Sequence, residues 1–129
     1  MNRFIPLTLL AFFAIVTSAS ADFVVPANKS TMIAHFAVWN PSTCAIFGKP
    51  SHKVRKQPQH GKLKFIYGVV KHNKIPAHCK GKVKGLQVIY TPDRGYRGPD
   101  NFVITVRQPR FLNDPAPRGQ TLRPRFTVN

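Results

Sequence analysis

The chain has no glutamate, and its only acids are Asp22, Asp93, Asp100 and Asp114. Paired carboxylates for acid–base catalysis are therefore hard to assemble. Asp93 and Asp100 share one proline- and glycine-rich segment and read better as turn formers. Cysteine is equally scarce, with only Cys44 and Cys79. No C-x-x-C, H-E-x-x-H or phosphate-binding loop occurs, and Ser30 and Ser51-His52 lack a G-x-S-x-G setting. No window carries a helical apolar stripe. Internal repeats and low-complexity tracts are missing. Beyond the amino-terminal segment, no apolar run is long enough to cross a bilayer.

That amino-terminal segment reads as a secretory signal peptide, residues 1–21. Met1-Asn2-Arg3 is a short basic start, Phe4–Val16 is an apolar run of thirteen, and Ala19-Ser20-Ala21 has the small-x-small form of a cleavage site. A membrane anchor is the alternative, but thirteen residues containing Pro6 fall short of the roughly 20 that span a bilayer. Cleavage before Asp22 leaves one domain, residues 22–129, with a modest core. The expected location is periplasmic or extracellular. In an oxidising compartment an even cysteine count implies a Cys44–Cys79 disulfide, with two free thiols as the alternative. The bridge would close a loop worth about 3–4 kcal/mol in the chain-entropy model. It would also remove the free thiol that a Cys–His nucleophile needs.

Positive charge, by contrast, is abundant. Without Arg3, 19 lysines and arginines face four aspartates, a formal +15. Lys49–Lys84 holds eleven basic residues and no acid, together with His52, His60, His72 and His78. Such a field attracts polyanions. A secreted chain meets anionic envelope polymers, lipids or a host surface, and nucleic acid only non-specifically. A solvated basic face with no specific partner is the plain alternative. The candidate contacts are Lys53, Arg55, Lys56, Lys62, Lys64, Lys80, Lys82 and Lys84. On a strand, Lys62 and Lys64 share the face opposite Leu63 and Phe65. Lys80, Lys82 and Lys84 repeat that spacing and are expected to extend the patch, with Lys53, Arg55 and Lys56 at its border.

Period-two alternation runs through the remainder. Phe23–Val25, Thr31–Trp39, Lys53–Gln57, Lys62–Val70, Leu86–Tyr90, Phe102–Arg107 and Thr121–Val128 read as strands, with most of the prolines between them. Lysines in Lys53–Gln57 suit an edge strand. About seven short strands predict an all-β sandwich. Asn40–Pro50 and Lys71–Lys84 read as long loops, each carrying one cysteine.

The segment Tyr90-Thr91-Pro92-Asp93-Arg94-Gly95-Tyr96-Arg97-Gly98-Pro99-Asp100-Asn101-Phe102 resembles the Y-x-P-x-x-G-[FY]-x-G-x-D-x-F signature of bacterial cadherin-like and immunoglobulin-like extracellular repeats. Pro58-Gln59-His60-Gly61-Lys62-Leu63 resembles the turn upstream of it in the same repeats. The arrangement is also similar to that of small secreted alphaproteobacterial proteins. The likeness implies an immunoglobulin-like sandwich and leaves activity open. In it Gly95, Tyr96, Gly98 and Asp100 form a structural loop: the glycines at positive φ, Asp100 accepting loop N–H groups, and Tyr90, Tyr96 and Phe102 covering one end of the core. Gly61 is likewise expected at positive φ. Such repeats often bind calcium, which takes roughly six to eight oxygen ligands; four scattered aspartates do not supply them.

The sequence therefore points to a non-enzymatic secreted binding module without cofactor or metal, engaging an anionic polymer, lipid or surface. A secreted effector acting on a host protein is the rival, and a small hydrolase the weakest alternative. His72 and His78, with His52 or His60, could hold copper, zinc or nickel only if loops bring them together. Trp39 is expected in the core beside the Cys44 loop, with carbohydrate stacking as the alternative.

Overall fold

Each alternating segment supplies a strand in the computed structural model, which describes residues 23–129. The signal-peptide reading and its cleavage site lie outside the described residues. Nine strands follow: β1 (Phe23–Val25), β2 (Thr31–Phe36), β3 (Ser51–Lys56), β4 (Gly61–Lys71), β5 (Lys82–Pro92), β6 (Gly98–Asn101), β7 (Val103–Gln108), β8 (Arg118–Leu122) and β9 (Arg125–Val128). They form three small sheets, ordered β1-β9-β6, β2-β5-β4 and β3-β7-β8. Among the described residues, only β1 and β9 pair in parallel. The fold is all-β with one disulfide.

One core lies between the sheets. Phe36, Leu86, Val88 and Tyr90 enter it from β2 and β5, Ile104 and Val106 from β7, and Val25, Phe126 and Val128 from β1 and β9, with Phe102 between β6 and β7. The Phe126 ring meets Tyr90 edge-on at 4.7 Å and Phe102 at 6.1 Å, the tilted geometry aromatic quadrupoles favour. Burying each such ring stabilises by roughly 1.5–3 kcal/mol.

The strand count exceeds the expected seven at two places. Gly98–Asn101 pairs with β9 from Gly98↔Val128 to Asn101↔Arg125, which satisfies the β9 backbone on the side away from β1. Thr121–Val128 is not one strand. Buried Pro124 has no N–H to give a ladder, so β8 stops at Leu122 and β9 joins another sheet. β2 also ends early, at Phe36; Trp39 instead makes an isolated bridge to Ile46.

Hairpin β4–β5 is the longest element, paired from Gly61↔Pro92 to Lys71↔Lys82 without a register break. Its buried face changes half-way. Leu86, Val88 and Tyr90 face the main core, whereas Val83 and Gly85, one step out of phase, are buried on the opposite face. There Val83 joins Ile75 and Cys79 in a second cluster with Ala37, Trp39, Cys44 and Ile46. A Cβ on Gly85 would lie 2.8 Å from the Phe36 carbonyl oxygen and 2.9 Å from the Ala37 Cβ. Glycine thus lets the chain cross over β5 as it leaves β2. The Cys44–Cys79 bridge ties this cluster together, with half-buried Trp39 packed against it as expected.

Candidate anionic-surface site

Two contacts orient the ends of the molecule. His52 stacks on Phe65 with centroids 3.8 Å apart, and the Lys49 Nζ lies 5.3 Å above the Tyr67 ring. Going back from His52 to Lys49 therefore follows β4 toward Val69 and Lys71. Ser51 pairs with Arg107, and any Cβ on Gly48 would come within 2.9 Å of Pro109. The loop after β7, residues 109–117, thus lies at the same end. Phe47 N–H donates to the Val38 carbonyl at 3.2 Å, bringing residues 37–47 there too. One pole so gathers the disulfide cluster and three loops.

Lys49, Lys71, Lys74, Lys80, Lys82, Lys84, Arg107, Arg110 and Arg118 are exposed at this pole. Lys71 stands directly opposite Lys82, and Lys84 opposite Val69. These four side chains share one face of the hairpin. Like charges in direct cross-strand register destabilise. Cys44, Ala45, Ile46, Val69, Lys82, Val83 and Lys84 line an open groove of about 450 Å³. Its lining is apolar apart from the two lysines, Lys82 and Lys84. The single ion pair among the described residues is Arg110–Asp114, at 3.0 Å. The other 18 of the 19 lysines and arginines between Phe23 and Asn129 have no carboxylate partner there.

The eight basic residues singled out from the sequence do not form one patch. Lys80, Lys82 and Lys84 belong to this pole, and Lys82 and Lys84 lie in β5 rather than in a loop. Lys62 and Lys64 project from the opposite hairpin face, since they pair with Thr91 and Ile89. Lys64 is five residues up the ladder from Lys84, about 17 Å at ~3.3 Å per residue. Lys53 pairs with Thr105, and the Arg55 Nε donates to the Thr105 Oγ1 at 3.3 Å. Both are therefore on the outer face of the β3-β7-β8 sheet. Lys56 donates to the Asn101 Oδ1 at 2.8 Å, toward the other pole. β3 is an edge strand as expected. Lys49, Lys71, Lys74, Arg107, Arg110 and Arg118 were missed. The signal for Lys71 was the hairpin register, which a sequence alone does not reveal.

The histidines do not converge as the sequence left open. His52 stacks on Phe65, His60 stacks on Tyr96 at 4.0 Å, and His78 bonds the Pro41 carbonyl. His72 meets His35 instead, with centroids 5.5 Å apart. The Lys74 N–H donates to the His72 Nδ1 at 3.0 Å, which places the hydrogen of a neutral His72 on its other nitrogen in this arrangement. Cys44, His78 and Cys79 are close enough to share an ion, but both sulfurs are spent in the disulfide.

At the far pole the structural loop is realised. Gly95 and Gly98 have φ of +78° and +135°. The Gln59 and His60 N–H groups donate to Asp100 at 3.1 Å each, Asn101 N–H at 2.9 Å, and the Tyr90 hydroxyl at 2.6 Å. Burial and this bond push the Tyr90 phenol well above its ordinary range. Gly61 differs from expectation: it is not at positive φ. Its constraint is space, because a Cβ would lie 2.4 Å from the Tyr90 ring.

No family model, curated protein or solved structure matches the chain.

Proposed function

We propose that the protein is a secreted, non-enzymatic binding module of immunoglobulin-like or cadherin-like build whose lysine-rich pole engages an anionic surface or polymer. The observation that carries this reading is the Lys71–Lys82 cross-strand pair, with Lys84 beside it and no carboxylate among the described residues within ion-pairing distance. That arrangement opposes folding slightly and favours a bound polyanion strongly. The disulfide at the same pole suits an oxidising, extracytoplasmic setting. The molecule's other lysines add a long-range field that speeds encounter.

The test is binding to polyphosphate across a salt series. The parent is expected to bind at ~50 mM salt and to weaken steeply as salt rises, because bound counterions are released. Replacing Lys71, Lys82 and Lys84 with Gln should weaken binding several-fold, whereas Lys62→Gln with Lys64→Gln should change it little. Equal binding by the triple variant and the parent would overturn the assignment to this pole. A parent that ignores polyphosphate at low salt would overturn the polyanion reading and favour a protein partner.

A further inference from the structure

The same pole carries a feature that charge does not explain. The loop joining β7 to β8 displays Phe111 and Leu112 side by side, 48% and 71% exposed. Single exposed apolar residues are ordinary, but this pair sits at a loop tip that is held in place. Asp114 accepts from Arg110 N–H at 2.9 Å, its Nε at 3.0 Å and its Nη2 at 3.3 Å, and from Ala116 N–H at 2.9 Å. Asp114 N–H in turn donates to the Phe111 carbonyl at 3.2 Å. Asn113 takes a left-handed φ of +58° to close the turn. The Arg110 guanidinium lies 5.6 Å over the Phe111 ring. The tip is therefore ordered before anything binds, which lowers the entropy cost of binding.

Charge is arranged to match. Arg110, the base nearest the apolar tip, is neutralised by Asp114, whose carboxyl the guanidinium holds well below the usual carboxylate range. Arg107 and Arg118 lie on the two strands that this loop joins, and the hairpin lysines Lys71, Lys82 and Lys84 lie at the same pole, none with a carboxylate partner among the described residues. A soluble polyanion would satisfy those cations and leave Phe111 and Leu112 in water. A bilayer with anionic headgroups satisfies both, because stable interfacial attachment combines apolar insertion with basic contacts to anionic lipid.

We propose that this pole docks onto an anionic lipid bilayer, with Phe111 and Leu112 inserted between headgroups and its lysines and arginines on the lipid phosphates. The inference rests on the polyanion reading above and narrows its ligand to a membrane surface.

The experiment uses protein made from the full 129-residue chain, phosphatidylcholine vesicles with and without about one-third phosphatidylglycerol, and soluble polyphosphate as a separate arm. Anionic vesicles should bind the parent, and neutral vesicles much more weakly. The F111S/L112S variant should keep the parent's melting temperature and polyphosphate binding, and lose about tenfold in affinity for anionic vesicles. In an L112W variant, the added tryptophan emission should shift blue on anionic vesicles and be quenched by brominated acyl chains. Unchanged vesicle affinity in F111S/L112S, or no quenching in L112W, overturns the proposal. A parent that binds polyphosphate but no vesicle overturns the membrane inference alone; one that binds neither overturns both readings.

Discussion

Asp100 is the one buried acid among the described residues, and its partners explain why. Its oxygens accept N–H groups from the Gln59–His60 turn as well as from its own neighbour, so one carboxylate joins the two segments on which the family resemblance rests. Removing it should leave part-buried N–H groups unsatisfied. Asp100→Ala is expected to cost about 1–3 kcal/mol, and Tyr90→Phe about 0.5–1.5 kcal/mol. Gly98→Val should cost a further ~1–3 kcal/mol through backbone strain, because φ is +135°. Denaturant melts would show this, and unchanged midpoints in all three would remove the loop from the stability argument. His35 gives a pH prediction. Burial, then the neighbouring His72, lowers its affinity for a proton in the fold. As pH falls below about 6.5, the ordinary value, the unfolded chain takes that proton first, so stability is lost from there down toward the folded value. His35→Gln should flatten that slope in thermal melts between pH 7 and 5; an equal slope would show that the effect arises elsewhere.

At the scale of elements, alternation made most of the fold legible. Leu86, Val88 and Tyr90, Ile104 and Val106, and Phe126 and Val128 are buried where period two places them. Two things were hidden for identifiable reasons. Proline stopped β8 without disturbing the apolar pattern of Leu122, Phe126 and Val128, so a strand break looked like a strand. The hairpin's change of buried face at Gly85–Leu86 made Lys82–Lys84 look like loop, because burial there follows the second cluster and not the main core. The candidate site was legible as charge but not as geometry. Composition marks the basic stretch, yet only the Lys71↔Lys82 register separates these lysines from Lys62 and Lys64. The second cluster is small, with three buried residues around the bridge, and it has little to hold it without the disulfide. Reduction is therefore expected to lower stability by about 3–4 kcal/mol in the chain-entropy model. It should loosen residues 40–46 and 75–79 first, with hydrogen exchange as the measurement. Protection that falls uniformly across the main core would show that the two clusters melt as one unit.

For the whole molecule, unbalanced charge makes salt act in opposite directions on stability and on binding. The described residues carry 18 bases without an ion-pair partner, all exposed. Their mutual repulsion opposes the compact state more than the expanded one. The Debye length falls from about 30 Å at 0.01 M to about 10 Å at 0.1 M salt. Over that range the repulsion across the lysine pole is largely screened, so the melting temperature should rise with salt. Polyanion affinity should fall over the same range, as counterion release becomes less favourable. A bound polyanion supplies the missing negative charge directly. Polyphosphate added at low salt should therefore raise the melting temperature by mass action, and it should do little once salt has weakened the complex. The triple Lys→Gln variant offers the control: with three charges removed from the pole, it should start from a higher low-salt melting temperature and gain less from both salt and polyphosphate. If salt instead lowers the parent's melting temperature, attractive interactions outweigh repulsion in the native state. The uncompensated pole would then not be the dominant electrostatic feature of this fold.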